Sequence, residues 1–271
     1  MAKDKYGLRP LKKDKRDFQL GALFFLPRLD ELPESFELTT QFPIKNQGQT
    51  DYCSAYASCG MSEIQEKVEL YPEYSFALSK EVSGDPDAWG QDLRSAMKSH
   101  TKYGAIAQKH APEAQNGDLR RFSSYPITWL TYAKNHQKQS YFKITGQHDS
   151  FDNIKASIFK HKSAVCIGVI WGWSIGDYIL NTVVAEGFGH AMYVTGWDED
   201  GLIVVNSYGE RAGKNGKHRM TRNVINAFVP RFGAMMMIDI PPEAVLESMD
   251  MLQWTNAGFF KRIWILIKRL W

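Results

Sequence analysis

The chain has 271 residues, 44% of them hydrophobic, 23% charged and 13% aromatic, which excludes a disordered, collagen-like or coiled-coil protein. That length suits one large domain or two intimate lobes with ample core to bury. The net charge of +3 is unevenly spread: residues 1–20 carry seven Lys/Arg against three Asp, and residues 259–271 carry Lys261, Arg262, Lys268 and Arg269 with no acid. The body between these basic ends is mildly acidic, so nucleic acid is disfavoured as its partner.

In chain order, residues 1–28 read as a basic arm, and Leu29 to Thr40, with Pro27 and Pro33, as an extended approach to the body. From Ser54 to about Leu70 the spacing of Ala57, Met61, Ile64 and Val68 predicts an amphipathic helix, limited by Pro72. A second helix is predicted over Gln91–Lys102, a loop over residues 103–125 and a short helix over Ile127–Lys134. Next comes a helix over Phe151–Lys162, capped by Ser150 or Asp152. Strands follow at Ala164–Ile170, Ala191–Trp197, Leu202–Asn206 and Ala234–Ile240, with Asp198-Glu199-Asp200-Gly201 as a hairpin turn. Helices early and strands late predict an α+β fold with segregated lobes: a helical lobe over about 45–135 and a β lobe over about 136–240.

The three cysteines, Cys53, Cys59 and Cys166, contain no CxxC pair and are too few for a disulfide framework, which suits a reducing compartment. The apolar run at residues 20–26 is short, far from Met1 and without a small-residue cleavage site, so no secretory signal is expected. No stretch has the length of a membrane-spanning helix. The expected location is the cytoplasm or a viral particle. His100, His110, His136, His148, His161 and His218 show no metal-ligand spacing and are expected in solvent or structural roles; no cofactor is implied. Trp171-Gly172-Trp173 reads as strand-end packing in preference to a cleft wall.

Chemistry concentrates at four positions. Cys53 stands just before a predicted helix, where the positive end of the helix dipole favours a thiolate. Upstream, Asn46-Gln47-Gly48-Gln49 is a polar loop in which the Gln47 amide can donate to a developing oxyanion. Downstream, His190 opens a strand and Asn206 closes the next one across the hairpin, so Asn206 can orient the His190 imidazole. Each residue alone has a bland reading, but together they supply nucleophile, oxyanion donor, base and orienter.

These residues resemble the papain-like cysteine peptidases. Leu32-Pro33-Glu34-Ser35-Phe36 is similar to the start of the mature domain in that family, and Ile44 to Gln49 to its oxyanion segment. Tyr52 to Ala57 resembles the nucleophile segment. Gly189-His190-Ala191 with Val194 to Asp198 resembles the histidine strand, and Val205-Asn206-Ser207-Tyr208-Gly209, with Gly213, Asn215-Gly216 and Arg219, the asparagine motif. The resemblance implies a two-lobed fold over residues 29–240, with a helical lobe and an antiparallel β-barrel-like lobe flanking a cleft. It also implies a Cys53–His190–Asn206 triad with Gln47 as oxyanion donor, and a peptide or protein substrate.

Departures accompany the match. Asp51-Tyr52 replaces a small pair before the cysteine, and an acid there opposes thiolate formation if it faces the sulfur. Ser54 and Tyr208 stand where the family has tryptophan, and Thr50 where it has a cysteine. The substrate-lining glycines are not recognisable, although Gly84 to Asp92 can occupy their region, so the specificity pocket is unreadable. Only about thirty residues precede the mature-like start, so control by a large zymogen domain is not expected. Residues 241–271 form a C-terminal extension. In it Phe260, Ile263, Trp264, Ile267, Leu270 and Trp271 oppose the four cations as an amphipathic helix, which fits a protein partner or a membrane surface. The basic ends, lying outside the peptidase body, are where a partner is expected. An alternative reading makes the chain a structural or binding component of a larger assembly such as a virus or phage particle.

Overall fold

The computed structural model describes residues 7–14, 17, 19–111 and 119–239. The C-terminal amphipathic helix expected over residues 259–271 lies outside the described residues. After a short turn, α1 (Leu20–Leu23), and a short strand, β1 (Phe36–Glu37), three helices carry the first half: α2 (Cys53–Glu66), α3 (Pro72–Ser83) and α4 (Leu93–Lys102). A small helix α5 (Trp129–Ala133) closes that part. The second half holds β2 (Ser140–Lys143), α6 (Ser150–His161), β3 (Val165–Trp171), β4 (Ile179–Leu180), β5 (Phe188–Asp198), β6 (Gly201–Val205), β7 (Lys217–Met220), α7 (Arg222–Phe232) and β8 (Ala234–Ile238). The strands form one sheet in the order β2-β8-β3-β5-β6-β7-β4, with β1 added to β5; among the strand pairs of the described residues, β4–β7 alone is parallel. The chain is α+β.

The expected hairpin is present: Asp198 pairs with Gly201, leaving Glu199-Asp200 as its two-residue turn. Several elements differ from expectation. Helix α2 ends at Glu66, with Lys67 in the left-handed conformation as its cap, so Pro72 is not what limits it; Pro72 instead opens α3, because a residue without an N–H costs nothing at the first helical position. The cap of α6 is Asp149, whose carboxylate accepts from Asp152 N at 3.0 Å, in place of Ser150 or Asp152. Helix α7 is an element the sequence analysis does not predict, and Pro230 lies inside it. Its Val224, Ile225, Phe228, Val229 and Phe232 are nonetheless buried along one side. Leu29–Glu31 forms a 3-10 turn within the stretch read as extended.

Helix α2 is the element that joins the two halves. Its Ala57 and Met61 belong to the main core with Val169, Ala191 and Met192 of the sheet. Gly60 permits the approach: a Cβ there would lie 2.4 Å from the Tyr193 ring on β5. Cys59 and Cys166 are both buried and free.

Burial also shapes the response to acid. Desolvation holds His100 down at about 3, His161 at about 4 and His190 at about 4, from an ordinary 6.5. Above 6.5 these rings are neutral both folded and unfolded, and no stability is lost. Below it the unfolded chain takes up protons that the folded chain refuses, so stability is lost as pH falls from 6.5 towards 4. The melting temperature is expected to drop steadily across that interval. A flat profile in differential scanning fluorimetry would contradict the neutral burial of these rings.

Candidate active site

Cys53 is the first residue of α2, so the unpaired N–H groups of the opening turn lie around its sulfur. The thiol is completely buried. Burial pushes it up to about 12; the Ala191 backbone N–H pulls the other way, and the Asp51 carboxylate adds to the rise. The acid before the cysteine therefore does oppose the thiolate, as a smaller effect than burial. Asp51 has a second role, since its Oδ2 accepts from Gly90 N at 2.5 Å and its Oδ1 lies 3.3 Å from Arg120. The Arg120 guanidinium in turn covers the Trp89 ring. Asp51 thus ties the loop before Cys53 to the Trp89–Gly90 segment.

His190 sits on β5, with Asn206 just beyond β6. The β5–β6 register places Tyr193 opposite Val205, so the hairpin folds the two side chains together. His190 Nε2–H donates to Asn206 Oδ1 at 2.8 Å, and both residues are almost fully buried. Desolvation lowers His190, while the Asn206 hydrogen bond raises it. Tyr208 stacks on the imidazole with rings 4.8 Å apart and 9° from parallel, covering the contact from one side. Trp171 meets the same ring edge-on at 5.5 Å, so it packs against the site from within the core.

Gln47 is held by its neighbours. Its backbone N–H donates to Ser207 O at 2.8 Å, its Oε1 accepts from Ser207 Oγ at 2.5 Å, and its Nε2 donates to Thr50 O at 2.7 Å. The amide has a second N–H, which has no partner among the described residues. Gln47, Cys53, Trp89, Phe188, His190 and Tyr208 line one cleft of about 650 Å³. All four residues singled out in the sequence are therefore brought together: three border the cleft, and Asn206 stands behind His190. No group of three or more potential metal ligands occurs among the described residues.

One component was not legible. The N-terminal arm, expected outside the body, runs through the cleft. Gly7 O accepts from Gln91 N at 2.8 Å and Arg9 N donates to Gln91 O at 3.0 Å on one wall; Leu8 N donates to Gly189 O at 2.9 Å on the other. Gly7 lies so close to Cys53 that a Cβ there would be 2.4 Å from its Sγ. Leu8 is buried in the main core, and Arg9 Nη1 is paired with Asp85 at 3.1 Å. Further along, Asp17 receives Arg94 Nε at 2.6 Å, and Arg94 Nη2 donates to Lys12 O. The signal was present as Gly7-Leu8, a side-chain-free residue beside an apolar one, inside a run of cations that drew attention to charge alone.

No family model and no curated protein matches the sequence. Among solved structures, the fold is similar to xylellain, a cysteine protease from Xylella fastidiosa, with a TM-score of 0.70 at 18% identity, covering 88% of this chain and 97% of that one. The chain has the papain-like fold. Digestive procathepsin L 3 of Tenebrio molitor larval midgut aligns with a TM-score of 0.64 at 15% identity, over 87% of this chain and 76% of that one. The bromelain protease from Ananas comosus, in complex with the E64 inhibitor, aligns at 0.56 and 16% identity, over 76% and 99%. At these identities the likeness concerns the papain-like architecture and leaves the chemistry to be argued from the residues. Among the described residues no helix is long and apolar enough to cross a membrane.

Proposed function

We propose that the protein is a cysteine-type hydrolase of peptide bonds, kept latent by its own N-terminal arm. The observation that carries this reading is the placement of a helix-opening cysteine and a His190–Asn206 pair around a single cleft. With the arm displaced, the Cys53 thiol passes its proton to His190 and the sulfur attacks the carbonyl carbon of a bound peptide. The developing oxyanion takes hydrogen bonds from the Gln47 amide and the Cys53 backbone N–H. His190 then protonates the leaving amine, and the C–N bond breaks to give a thioester. Finally His190 takes a proton from water, whose oxygen attacks the thioester; the acid leaves and the thiol is restored.

The docked arm supports latency in two ways. Gly7 fills the space in front of the sulfur, and the resulting burial raises the thiol so far that the attacking thiolate is scarce. Control then needs no large zymogen domain, because a few residues of extended chain occupy the cleft.

A thiol-directed peptide electrophile tests the reading. Intact-mass analysis is expected to show a single adduct, on Cys53, which appears slowly on the full chain and is absent from Cys53→Ala. Cys59 and Cys166, both buried, are expected to stay unmodified. Absence of an adduct even when the arm is displaced by substitution would overturn the proposal.

A further inference from the structure

Strand β7 sits between β6 and β4 in the sheet, which brings three polar groups into a row behind His190. His218 lies opposite Val204 in the β6–β7 register, two residues before Asn206. On its other side, β4 runs parallel to β7, and Arg219 N donates to Tyr178 O at 2.7 Å, holding the neighbouring Asp177 carbonyl against the His218 ring. His218 is wholly buried, with the Trp171 ring 5.3 Å away and edge-on to it.

The hydrogen bonds form an unbroken line. His218 Nδ1 lies 2.6 Å from Asp177 O, His218 Nε2 lies 3.0 Å from Asn206 Nδ2, and Asn206 Oδ1 lies 2.8 Å from His190 Nε2. A carbonyl oxygen can only accept, so His218 carries its proton on Nδ1 and offers Nε2 as a lone pair. That lone pair takes a donor, so Asn206 turns its Nδ2 towards it and its Oδ1 the other way. There Oδ1 accepts from Ser207 N at 2.7 Å as well as from His190 Nε2–H. His190, protonated on Nε2, keeps its lone pair on Nδ1, the nitrogen that would take a proton, with the Tyr208 hydroxyl 3.4 Å away.

We propose that His218 is a positioning residue, which fixes the orientation of the Asn206 amide and thereby the tautomer of His190. Its kinetic consequence, though not its geometry, rests on the hydrolase reading above. The device begins at a main-chain carbonyl. Asp177 belongs to the loop between β3 and β4, and the stretch from β3 to β5 carries the exposed apolar residues Ile175, Ile179 and Val183. Burial keeps the His218 imidazole below its ordinary value, so the neutral ring, the form able to accept from Asn206, is present at neutral pH.

Nitrogen NMR of the full-length protein with labelled histidine reads each tautomer directly. In the wild type, His218 is expected protonated at Nδ1 and His190 at Nε2. In His218→Phe, which keeps a ring of similar size but no acceptor, His190 is expected to become a mixture of tautomers. In a background with the arm displaced, kcat on a peptide amide is expected to fall about 10- to 100-fold with KM within about twofold. His218→Gln, which again offers an acceptor and a donor, is expected to recover most of that loss. A wild-type His218 protonated at Nε2, or a His190 tautomer unmoved in His218→Phe, overturns the proposal, and the wild-type measurement holds even if the variant fails to fold. Correct tautomers that shift in His218→Phe support it even without turnover, in which case the hydrolase reading is what falls.

Discussion

Leu8→Asp is expected to raise peptide hydrolysis at least tenfold over the wild-type chain. Leu8 is 4% exposed and packs into the main core, so its side chain holds the arm in the cleft as much as the three backbone hydrogen bonds around it do. Removing a buried leucine costs about 2 kcal/mol, or about 30-fold in the docked population, and a carboxylate buried without a partner costs more. Displacing Gly7 opens the space before the sulfur and returns water to it, so the thiol moves down from about 12 and the thiolate fraction at neutral pH rises. The rate of Cys53 alkylation against pH measures that movement separately from turnover. Variants that alkylate and hydrolyse at wild-type rates while retaining the wild-type melting temperature would show that the arm does not govern access.

Replacing His190 by Ala, in that same arm-displaced background, is expected to lower kcat/KM by about four orders of magnitude. The loss has two sources. The thiol no longer has a neighbouring base, and the leaving amine no longer has a proton donor. Residual hydrolysis is expected to climb with pH as the thiol ionises unaided, whereas the parent should level off once His190 has done its work. His190→Ala also removes a ring packed between Tyr208 and Trp171, so some stability is lost, and kinetics are compared at a temperature where both proteins are folded. Retention of most of the activity, with an unchanged pH profile, would remove His190 from the chemistry.

Local patterns carried much of the architecture. The apolar spacing of Ala57, Met61 and Ile64 marks α2, and the Asp-Gly turn marks the β5–β6 hairpin, because helix periodicity and hairpin turns are short-range properties. That hairpin is why the sequence alone puts Asn206 beside His190. Helix α7 was hidden because its only loud signal, Pro230, speaks against a helix, while the burial that stabilises it comes from strands far away in sequence. Strand β2 was missed for a related reason: it is four residues long and gains its place by pairing with β8.

By itself the sequence determined the α+β class, a helix beginning beside Cys53, the pairing of His190 with Asn206 and the acidic body between basic ends. Those follow from composition, from periodicity and from neighbours joined by a tight turn. The tertiary structure alone decided that residues 7–9 lie across Cys53, that Asp51 anchors Gly90, and that His218 stands in line behind Asn206. Each of these joins strands, loops or an arm separated by a dozen or more residues. Charge or polarity read along the chain says only that such a residue wants a partner; which partner it meets is set when the sheet and α2 pack together.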